Sequence, residues 1–392
     1  MLDGLNKLFP YSIVVSEPAS SAGGSLAFAV VPRNGLLSLI RGVAMPTFLI
    51  LSALLTISGC NRDEPTEPDT PKLGKRDYAW TADTLKYPGS FQTNMRSMYA
   101  TSSHNIFIVG HNDINRGKMY HYDGQQWSPV LLTASEGGPI QGAIDLTAIH
   151  GNGPNNMWAV GEESYFDPLT GGFSDSSLVL HFDGIQWSKE SVPKRRSLWC
   201  VAVLSTTQVF AGGRGGVIYI FDGALYTLFE LGSEFFFSSI VAIAPNEVYA
   251  IGTRNDYAPP LDSAGAFLFR FNESAWIITD SVLFTPLAPP QHFGLRLVDN
   301  DGSLYSSAPD IYKYQLGQWE KLFTAPVTNF FASGANNMIA VGKSVYHFNG
   351  QDWSEFPQFR SSDWIYSDCY ADGNEVFVLG TNGEFSFVLH GK

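Results

Sequence analysis

The sequence predicts an all-β fold built from repeated four-stranded sheets, and three observations support this prediction. First, a ten-residue segment recurs with few changes at 118–127, 178–187 and 344–353. Second, each copy alternates apolar and polar residues, which is the pattern of a half-buried strand. Third, each copy turns on Asp-Gly or Asn-Gly and resumes with Trp. These dipeptides favour two-residue hairpin turns with positive φ at both central residues, so each copy predicts a β-hairpin whose second strand begins with an aromatic residue.

The composition agrees with many short packed strands joined by tight turns. Of the 392 residues, 14% are aromatic, 16% are charged and 38 are glycine, which disfavours disorder and coiled coil. The net charge of −13 disfavours a nucleic-acid partner, because an acidic surface repels a phosphate backbone and the main basic cluster is only 194–196. We therefore expect protein, peptide or sugar ligands rather than nucleic acid.

The three cysteines, Cys60, Cys200 and Cys369, show no metal-ligand spacing. Cys200 and Cys369 lie in apolar, strand-like runs, so we predict that both are buried free thiols. We expect neither a metal nor another cofactor.

The N-terminal region has the pattern of an export signal. Residues 42–58 form an uncharged apolar run directly after Arg41, as the n-region and h-region of a secretory signal do. Forty-one residues precede this run, which is more than an n-region needs. We therefore expect translation to start later, near Val31 or Leu37. A single transmembrane helix is the alternative, although 17 residues are marginal for spanning a bilayer.

The apolar run ends in the sequence Ile-Ser-Gly-Cys, with the cysteine at Cys60. This segment resembles the lipobox of bacterial lipoproteins. The resemblance implies cleavage before Cys60 and lipid attachment to it, giving an exported protein anchored to the bacterial cell envelope, at the outer membrane or cell surface. Residues 1–59 would be the leader. Residues 60–76 are rich in proline and charge, which predicts a flexible tether.

A longer unit surrounds each hairpin. An apolar strand, a polar turn and a strand of the Val-Trp-Ala-Val-Gly kind come first, and a hairpin follows. The first two strands of the unit recur at 98–110, 146–161, 198–212, 240–252, 327–342 and 364–380. The aromatic that begins the outer strand recurs as Tyr226, Trp276, Trp319 and Trp353. The unit at 297–319 is degenerate, since Gln315 and Leu316 replace Asp-Gly, but we count it.

Units of roughly 40–50 residues with four strands each are typical of a β-propeller. The last unit stops at 385–390 without its outer strand, and the segment 77–85 carries that strand's pattern with Trp80 in place. A first strand that completes the last blade removes a free sheet edge. We therefore predict seven four-stranded antiparallel blades in residues 77–392, with the ring closed by the N-terminal strand.

These residues resemble the seven-bladed propellers of bacterial exported proteins. The Asp-Gly-x-x-Trp corner is also distantly similar to the Asp-box of sialidase-type propellers. It departs from that box because Asp123 stands four residues before Trp127 rather than five, and the box serine is missing. The resemblance therefore implies an architecture and no particular enzyme family.

Long connections are predicted on one face of the ring, at 131–145, 162–177, 253–265 and 277–293. Length variation confined to one face indicates that this face binds something. The candidate binding residues on this face are His111, Asp113, Arg116, Glu162, Tyr165, Phe166, Arg214, Arg254, Asp256 and Tyr257. Aromatics beside carboxylates and arginines suit a glycan, a peptide or another envelope protein, which predicts a non-catalytic, monomeric binding module.

Two alternatives remain open. Arg116, Arg214 and Arg254 follow corresponding strands, so a sialidase-like hydrolase or lyase could use them together near the channel. A purely structural envelope propeller is the other alternative. His104, His121, His150, His181 and His347 track repeat positions, as do Asp123, Asp183 and Asp222, and we interpret these residues as packing or turn residues.

Overall fold

The computed structural model describes residues 73–254, 264–283, 296–300, 302–307, 309–315, 317–334 and 337–392, and of 296–300 only the backbone. The strands form seven four-stranded antiparallel sheets, which are the blades of a ring. The predicted seven-bladed β-propeller is confirmed. In the part of the chain described, we find no helix with the length and hydropathy of a membrane span.

In chain order, the first fourteen strands are β1 (Trp80–Leu85), β2 (Thr93–Ser102), β3 (Asn105–Asn112), β4 (Met119–Tyr122), β5 (Trp127–Pro129), β6 (Ala143–Gly151), β7 (Met157–Asp167), β8 (Gly172–Phe182), β9 (Trp187–Lys189), β10 (Leu198–Ser205), β11 (Gln208–Gly213), β12 (Val217–Phe221), β13 (Tyr226–Glu230) and β14 (Phe235–Ala244). They continue with β15 (Glu247–Arg254), β16 (Gly265–Phe271), β17 (Trp276–Leu283), β18 (Arg296–Asn300), β19 (Ser303–Ser307), β20 (Ile311–Gln315), β21 (Gln318–Phe323), β22 (Val327–Gly334), β23 (Asn337–Gly342), β24 (Val345–Phe348), β25 (Trp353–Glu355), β26 (Ile365–Asp372), β27 (Glu375–Thr381) and β28 (Ser386–Gly391). Short 3-10 turns span Ala134–Glu136 and Pro357–Phe359.

Blades one to six are β2–β5, β6–β9, β10–β13, β14–β17, β18–β21 and β22–β25, from inner to outer strand. The degenerate unit therefore forms a complete fifth blade. The seventh blade has the order β26-β27-β28-β1, so the N-terminal strand is its outer strand. Trp80 pairs with Gly391 and Leu85 with Ser386. The predicted ring closure is confirmed.

The turn chemistry differs from the prediction. In the first blade the strands end at Tyr122 and resume at Trp127, which leaves a four-residue loop rather than a two-residue turn. Only the glycine, Gly124, has positive φ (93°). The Asp123 carboxylate instead accepts hydrogen bonds from the backbone N–H groups of the third and fourth loop residues, at 2.8 and 2.9 Å. An aspartate that binds its own loop in this way stabilises an Asx turn.

The same Asx turn recurs between the third and fourth strands of other blades, on Asp183, Asp222, Asn272 and Asn349. In the seventh blade Asn382 forms an Asx turn between the second and third strands. In the fourth blade Glu273 replaces the glycine and adopts φ 72°. The interpretation of these aspartates as turn residues is confirmed by their contacts.

The hydrophobic core lies between adjacent blades. Ile106 and Ile108 of β3 are fully buried and belong to one apolar cluster with Phe377 and Leu379 of the seventh blade. Burying an apolar side chain of this size stabilises a fold by about 1.5–3 kcal/mol. Because every blade shares such a cluster with a neighbour, the ring holds its inner strands in fixed positions.

Six inner strands carry a β-bulge at the same step, whereas β18 pairs regularly with β19. The bulged residues are Arg96, Thr147, Trp199, Ser238, Thr328 and Ser367. Such bulges redirect a side chain out of the ordinary alternation. Thr147 uses this position to link blades, since its hydroxyl donates to Leu198 O at 2.8 Å.

The two faces of the ring differ in their connections. The turn face carries the first-to-second and third-to-fourth strand turns of each blade. The loop face carries the second-to-third strand connections and those between blades. Each inner strand begins at the loop face, so its bulge lies near that end.

The predicted leader, the lipid-attachment residue Cys60 and the tether up to residue 72 lie outside the residues that the structure describes. Residues 73–76 contact the sixth blade, where Arg76 forms an ion pair with Asp352 at 2.9 Å. The prediction that Cys200 and Cys369 are buried is confirmed, and each Sγ lies 3.5 Å from a backbone carbonyl oxygen.

Candidate functional site

The inner strands enclose a channel cavity of about 320 Å³. Residues of β2, β6, β10, β14, β22 and β26 line it, and Trp199 stands among them. A cavity of this size at the centre of a propeller is a natural place for a ligand. What it could hold depends on its walls and on its opening at the loop face.

Asp368 is a channel-lining carboxylate with a structural role. Asp368 is 8% exposed and accepts hydrogen bonds from Met98 N and Asn329 Nδ2, both at 2.8 Å. These bonds join the seventh blade to the first and the sixth. His150, nearer the turn face, accepts a hydrogen bond from Val203 N at 3.0 Å on its Nδ1, and burial lowers its pKa to about 4. Hydrogen bonds between blades thus hold this part of the channel wall in place.

Toward the loop-face end of the channel, four described side chains form a cluster, called the channel mouth: Arg96, Trp199, Arg214 and Phe236. Arg96 is the bulged residue of the first blade, and its guanidinium lies 5.0 Å from the Trp199 ring centroid in the third. Arg214 follows β11 and lies 5.2 Å from the same ring. Phe236 packs edge-on against Trp199 at 5.2 Å. Two cations therefore share one indole, in cation–π geometry.

The charge of this pair is not matched by a direct anionic partner. Among the residues described, neither Arg96 nor Arg214 belongs to an ion pair of 4.0 Å or less. Burial lowers the pKa of Arg96, and the positive charge of Arg214 lowers it further, while Asp145 and Glu162 act in the opposite direction. The mouth therefore holds two guanidiniums close enough to repel each other.

Polar groups of the first two blades flank the mouth. Lys118 is buried and its Nζ binds Asp145 Oδ1 at 2.6 Å. Burial and then Arg96 lower the pKa of His111, whose Nδ1 is buried and has no hydrogen-bond partner in the described residues. Burial, helped by Asp175 and Asp145, raises the pKa of Glu162. Of the ten predicted residues, His111, Glu162 and Arg214 thus meet around this opening.

The other predicted residues lie elsewhere. Asp113 fastens the connection before the first blade, since it accepts bonds from Ser90 Oγ at 2.6 Å and from the N–H groups of Phe91 and Gln92, and these bonds lower its pKa to about 2. Arg116 lies near Tyr87. Burial raises the pKa of the Tyr87 hydroxyl, and the positive charge of Arg116 acts in the opposite direction. Asp256 and Tyr257 fall outside the described residues.

Tyr165 and Phe166 lie on a β-ribbon, residues 162–177, in which β7 and β8 extend beyond the blade and stay paired to Asp167 and Gly172. Lys194 stacks on Tyr165 at 4.5 Å. Near the tip Phe166 is 58% exposed, Phe173 80% and Leu169 94%. The long segment is therefore an ordered projection of the loop face with an apolar tip.

The three arginines of the sialidase-like alternative contact different rings or loops. Arg214 lies over Trp199 and Phe236, whereas Arg254 lies 5.2 Å from the Phe267 ring. Arg116 belongs to the connection near Tyr87. Arg214 shares the Trp199 ring with Arg96, and Arg96 was not among the residues predicted from the sequence.

The repeat histidines pack as interpreted. His121, His181 and His347 each place Nε2 within 3.0 Å of an asparagine Oδ1 at the start of the blade's second strand. His121 also stacks on Phe107 at 4.3 Å. These residues stabilise the turn-face end of their blades.

Arg96, Trp199 and Phe236 were not predicted from the sequence. Their signal is weak. Arg96 and Trp199 share one position in the repeat and Phe236 does not, and a repeat position does not indicate contacts between blades one, three and four. Aligning the first strands would have shown Arg96 and Trp199 at the position where other units carry Thr or Ser.

Comparison with known proteins agrees with the fold. No protein-family model matches the chain, and no curated protein matches it. Among solved structures, YCF48 bound to D1 peptide is 17% identical with a TM-score of 0.53, and the match covers 81% of this chain and 98% of that one. YCF48 from Cyanidioschyzon merolae is 12% identical, with a TM-score of 0.51 over 78% and 98% of the two chains.

The extracellular domain of BT4673 from B. thetaiotaomicron is 13% identical with a TM-score of 0.51. That match covers 79% of this chain and 39% of the other. At these identities the similarity establishes the β-propeller fold alone.

Proposed function

We propose that this protein is an exported, lipid-anchored propeller that acts as a non-catalytic binding module and receives a peptide or protein segment on its loop face. The observation that carries the proposal is the channel mouth. There, Arg96 and Arg214 both contact Trp199, and neither has an ion-pair partner among the described residues. The Asx turns and repeat histidines of the turn face, by contrast, are hydrogen-bonded within their own blades.

A peptide suits this face better than a glycan for two reasons. Trp199 already carries two guanidiniums, so the indole is not a free platform on which a sugar could stack. The ribbon strand β8 pairs with β9 only over 180–182, so among the described strands nothing pairs with the outer edge of 172–176. An open strand edge offers N–H and C=O groups to an added peptide strand, and neighbouring apolar side chains such as Phe173 add contacts.

The comparisons support the proposal without deciding it. YCF48 has a related fold and was solved bound to D1 peptide, and the BT4673 domain is extracellular. Fold similarity alone does not transfer a ligand. The proposal for this chain therefore depends on its own loop face and on the signal ending at Cys60.

The binding proposal is tested on a random peptide array and a glycan array, both probed with the full-length protein in neutral detergent. We expect peptide binding that falls by about tenfold or more when Phe166 and Phe173 are both changed to Ser, because exposed aromatics are frequent binding hot spots. The matched control is Ile185→Ser, an 87% exposed apolar residue on the turn face.

Binding confined to glycans, or a loss caused equally by Ile185→Ser, would contradict the assignment of a peptide to the loop face. The anchor is tested separately by mass spectrometry of the mature protein from its native membrane. We expect an N-terminal, lipid-modified Cys60. Recovery of an unmodified peptide that spans Gly59 and Cys60 would exclude the lipoprotein assignment.

A further inference from the structure

We infer that the channel mouth is a carboxylate-binding subsite, in which Arg96 and Arg214 bind the carboxylate of a bound peptide. Trp199 holds the two guanidiniums in place. This inference rests on the proposed function and specifies the chemistry of its ligand. The experiment can disprove this subsite even if a peptide binds elsewhere on the loop face.

The first argument is electrostatic. Two like charges that are held together repel, and the repulsion grows as solvent is excluded. Arg96 is partly buried and senses the charge of Arg214. The negative charges of Asp145 and Glu162 act on Arg96 more strongly, but no carboxylate among the described residues lies within ion-pair distance of either arginine. Cation–π contacts with Trp199 offset part of this cost. An anion bound to both guanidiniums would reduce this cost further.

The second argument concerns geometry. Guanidinium groups present planar forks of N–H donors that match the two oxygens of a carboxylate. Trp199 is fixed by its neighbours, since its Nε1 donates to Ser197 Oγ at 3.1 Å and Phe236 packs against its ring. The indole therefore restrains both arginines before a ligand arrives, which lowers the entropy cost of binding.

The third argument selects a monoanion. Asp145 and Glu162 act on Arg96 with negative charge from the side of the mouth. These groups weaken the attraction of the mouth for any anion. The cost of removing an anion from water rises with the square of its charge, whereas the attraction rises only in proportion to the charge, so a singly charged carboxylate is favoured over a doubly charged phosphate. Trp199 also lines the channel cavity of about 320 Å³, which can accept the residue that bears the carboxylate.

The test uses three acetylated tripeptides with the full-length protein in neutral detergent. Acetyl-Ala-Ala-Ala with a free carboxylate presents a C-terminal group, acetyl-Ala-Ala-Glu-amide presents a side-chain group, and acetyl-Ala-Ala-Ala-amide presents neither. Binding is followed by NMR, through the Trp199 indole N–H signal, which is assigned with a Trp199→Phe variant. We expect at least one carboxylate peptide to bind at least tenfold more tightly than the amide, and the two carboxylate arms identify its source.

Arg96→Gln and Arg214→Gln should each weaken the carboxylate peptide by about ten- to hundredfold, the effect of losing a charge-assisted hydrogen bond. Arg270→Gln is the matched control, because Arg270 also stacks on a ring, Tyr249 at 5.9 Å, and binds Asn246 O at the turn face. It should leave binding unchanged. Circular dichroism and the thermal midpoint confirm that every variant is folded.

Equal affinity for acid and amide, an equal loss with Arg270→Gln, or the absence of any Trp199 shift up to the solubility limit of the peptides would each overturn the inference. None of these outcomes would remove peptide binding by the ribbon, which the array measures with the Phe166 and Phe173 variants. Loss of array binding together with intact carboxylate binding would instead overturn the ribbon's part in the proposed function.

Discussion

The loop face and the turn face are built from the same blades but use their polar side chains in opposite ways. On the turn face, Asx residues accept hydrogen bonds from their own loops, and His181 and Asn156 pair within one blade. On the loop face, Arg96 and Arg214 meet from different blades and are left without an ionic partner among the described residues. Internal hydrogen bonding thus stabilises the turn face, whereas the guanidinium pair is the feature on which we propose that the loop face binds its ligand.

The difference follows from chain geometry. A turn-face connection joins neighbouring strands of one blade, so four residues are enough and the repeat can supply the turn chemistry. Loop-face connections also cross between blades, and the side chains at their ends meet partners far away in sequence. This face can therefore vary without breaking the repeat.

The largest effect is expected from Asn156→Ala, which removes a buried turn-face acceptor. Trp158 Nε1 donates to Asn156 Oδ1 at 2.9 Å, and His181 Nε2 lies 3.0 Å from it. The buried Trp158 N–H and the half-buried His181 would lose their partner, so we expect the free energy of unfolding to fall by about 3–4 kcal/mol. Urea denaturation measures this change, with the exposed neighbour Asn155→Ala as control.

If Arg214→Gln costs as much stability as Asn156→Ala, the division of roles between the two faces is wrong. We expect Arg214→Gln to lower the free energy of unfolding by about 1 kcal/mol or less, the size of an exposed cation–π contact.

The second largest effect is expected on stability in acid, and it comes from His150, which lies nearer the turn face. Burial lowers the pKa of His150 from 6.5 to about 4, so the folded protein binds this proton less readily than the unfolded chain. The stability contributed by neutral His150 is complete above pH 6.5 and is lost as the pH falls from 6.5 to about 4, at most about 3 kcal/mol. We expect His150→Gln, which cannot titrate, to flatten the pH dependence of the unfolding free energy in that interval. An unchanged slope in the variant would show that the fold does not lower the pKa of His150.

The smallest effect is expected at the ribbon tip. Leu169 is 94% exposed, so Leu169→Ser should change the free energy of unfolding by about 0.5 kcal/mol or less. The midpoint of denaturant unfolding, compared with the unaltered protein, measures it. A loss above about 1 kcal/mol would indicate that the tip packs in solution and is not available to a ligand.

Much of the fold could be predicted from residues that recur. The period-two strands, the aromatic that begins each outer strand and the unpaired segment carrying Trp80 together predicted seven blades and their closure. The turn geometry was predicted less well. Asp123 caps a four-residue loop through its carboxylate, and only Gly124 needs positive φ.

The candidate site could be predicted only in part. His111, Glu162 and Arg214 were selected because they follow strands that end on the loop face. Asp113 was selected for the same reason, yet its carboxylate fastens a backbone segment. Sequence position identifies the face on which a side chain lies but does not identify its hydrogen-bond partner.

The sequence by itself determined what is local and repeated: strand alternation, turn residues, the apolar run before Cys60 and the number of blades. Tertiary structure alone decided the mouth of the channel, because Arg96 and Trp199 stand about a hundred residues apart and meet only when the ring closes. Short-range preferences act along the chain, whereas this contact depends on β-bulges that turn both side chains to the loop-face end of the channel.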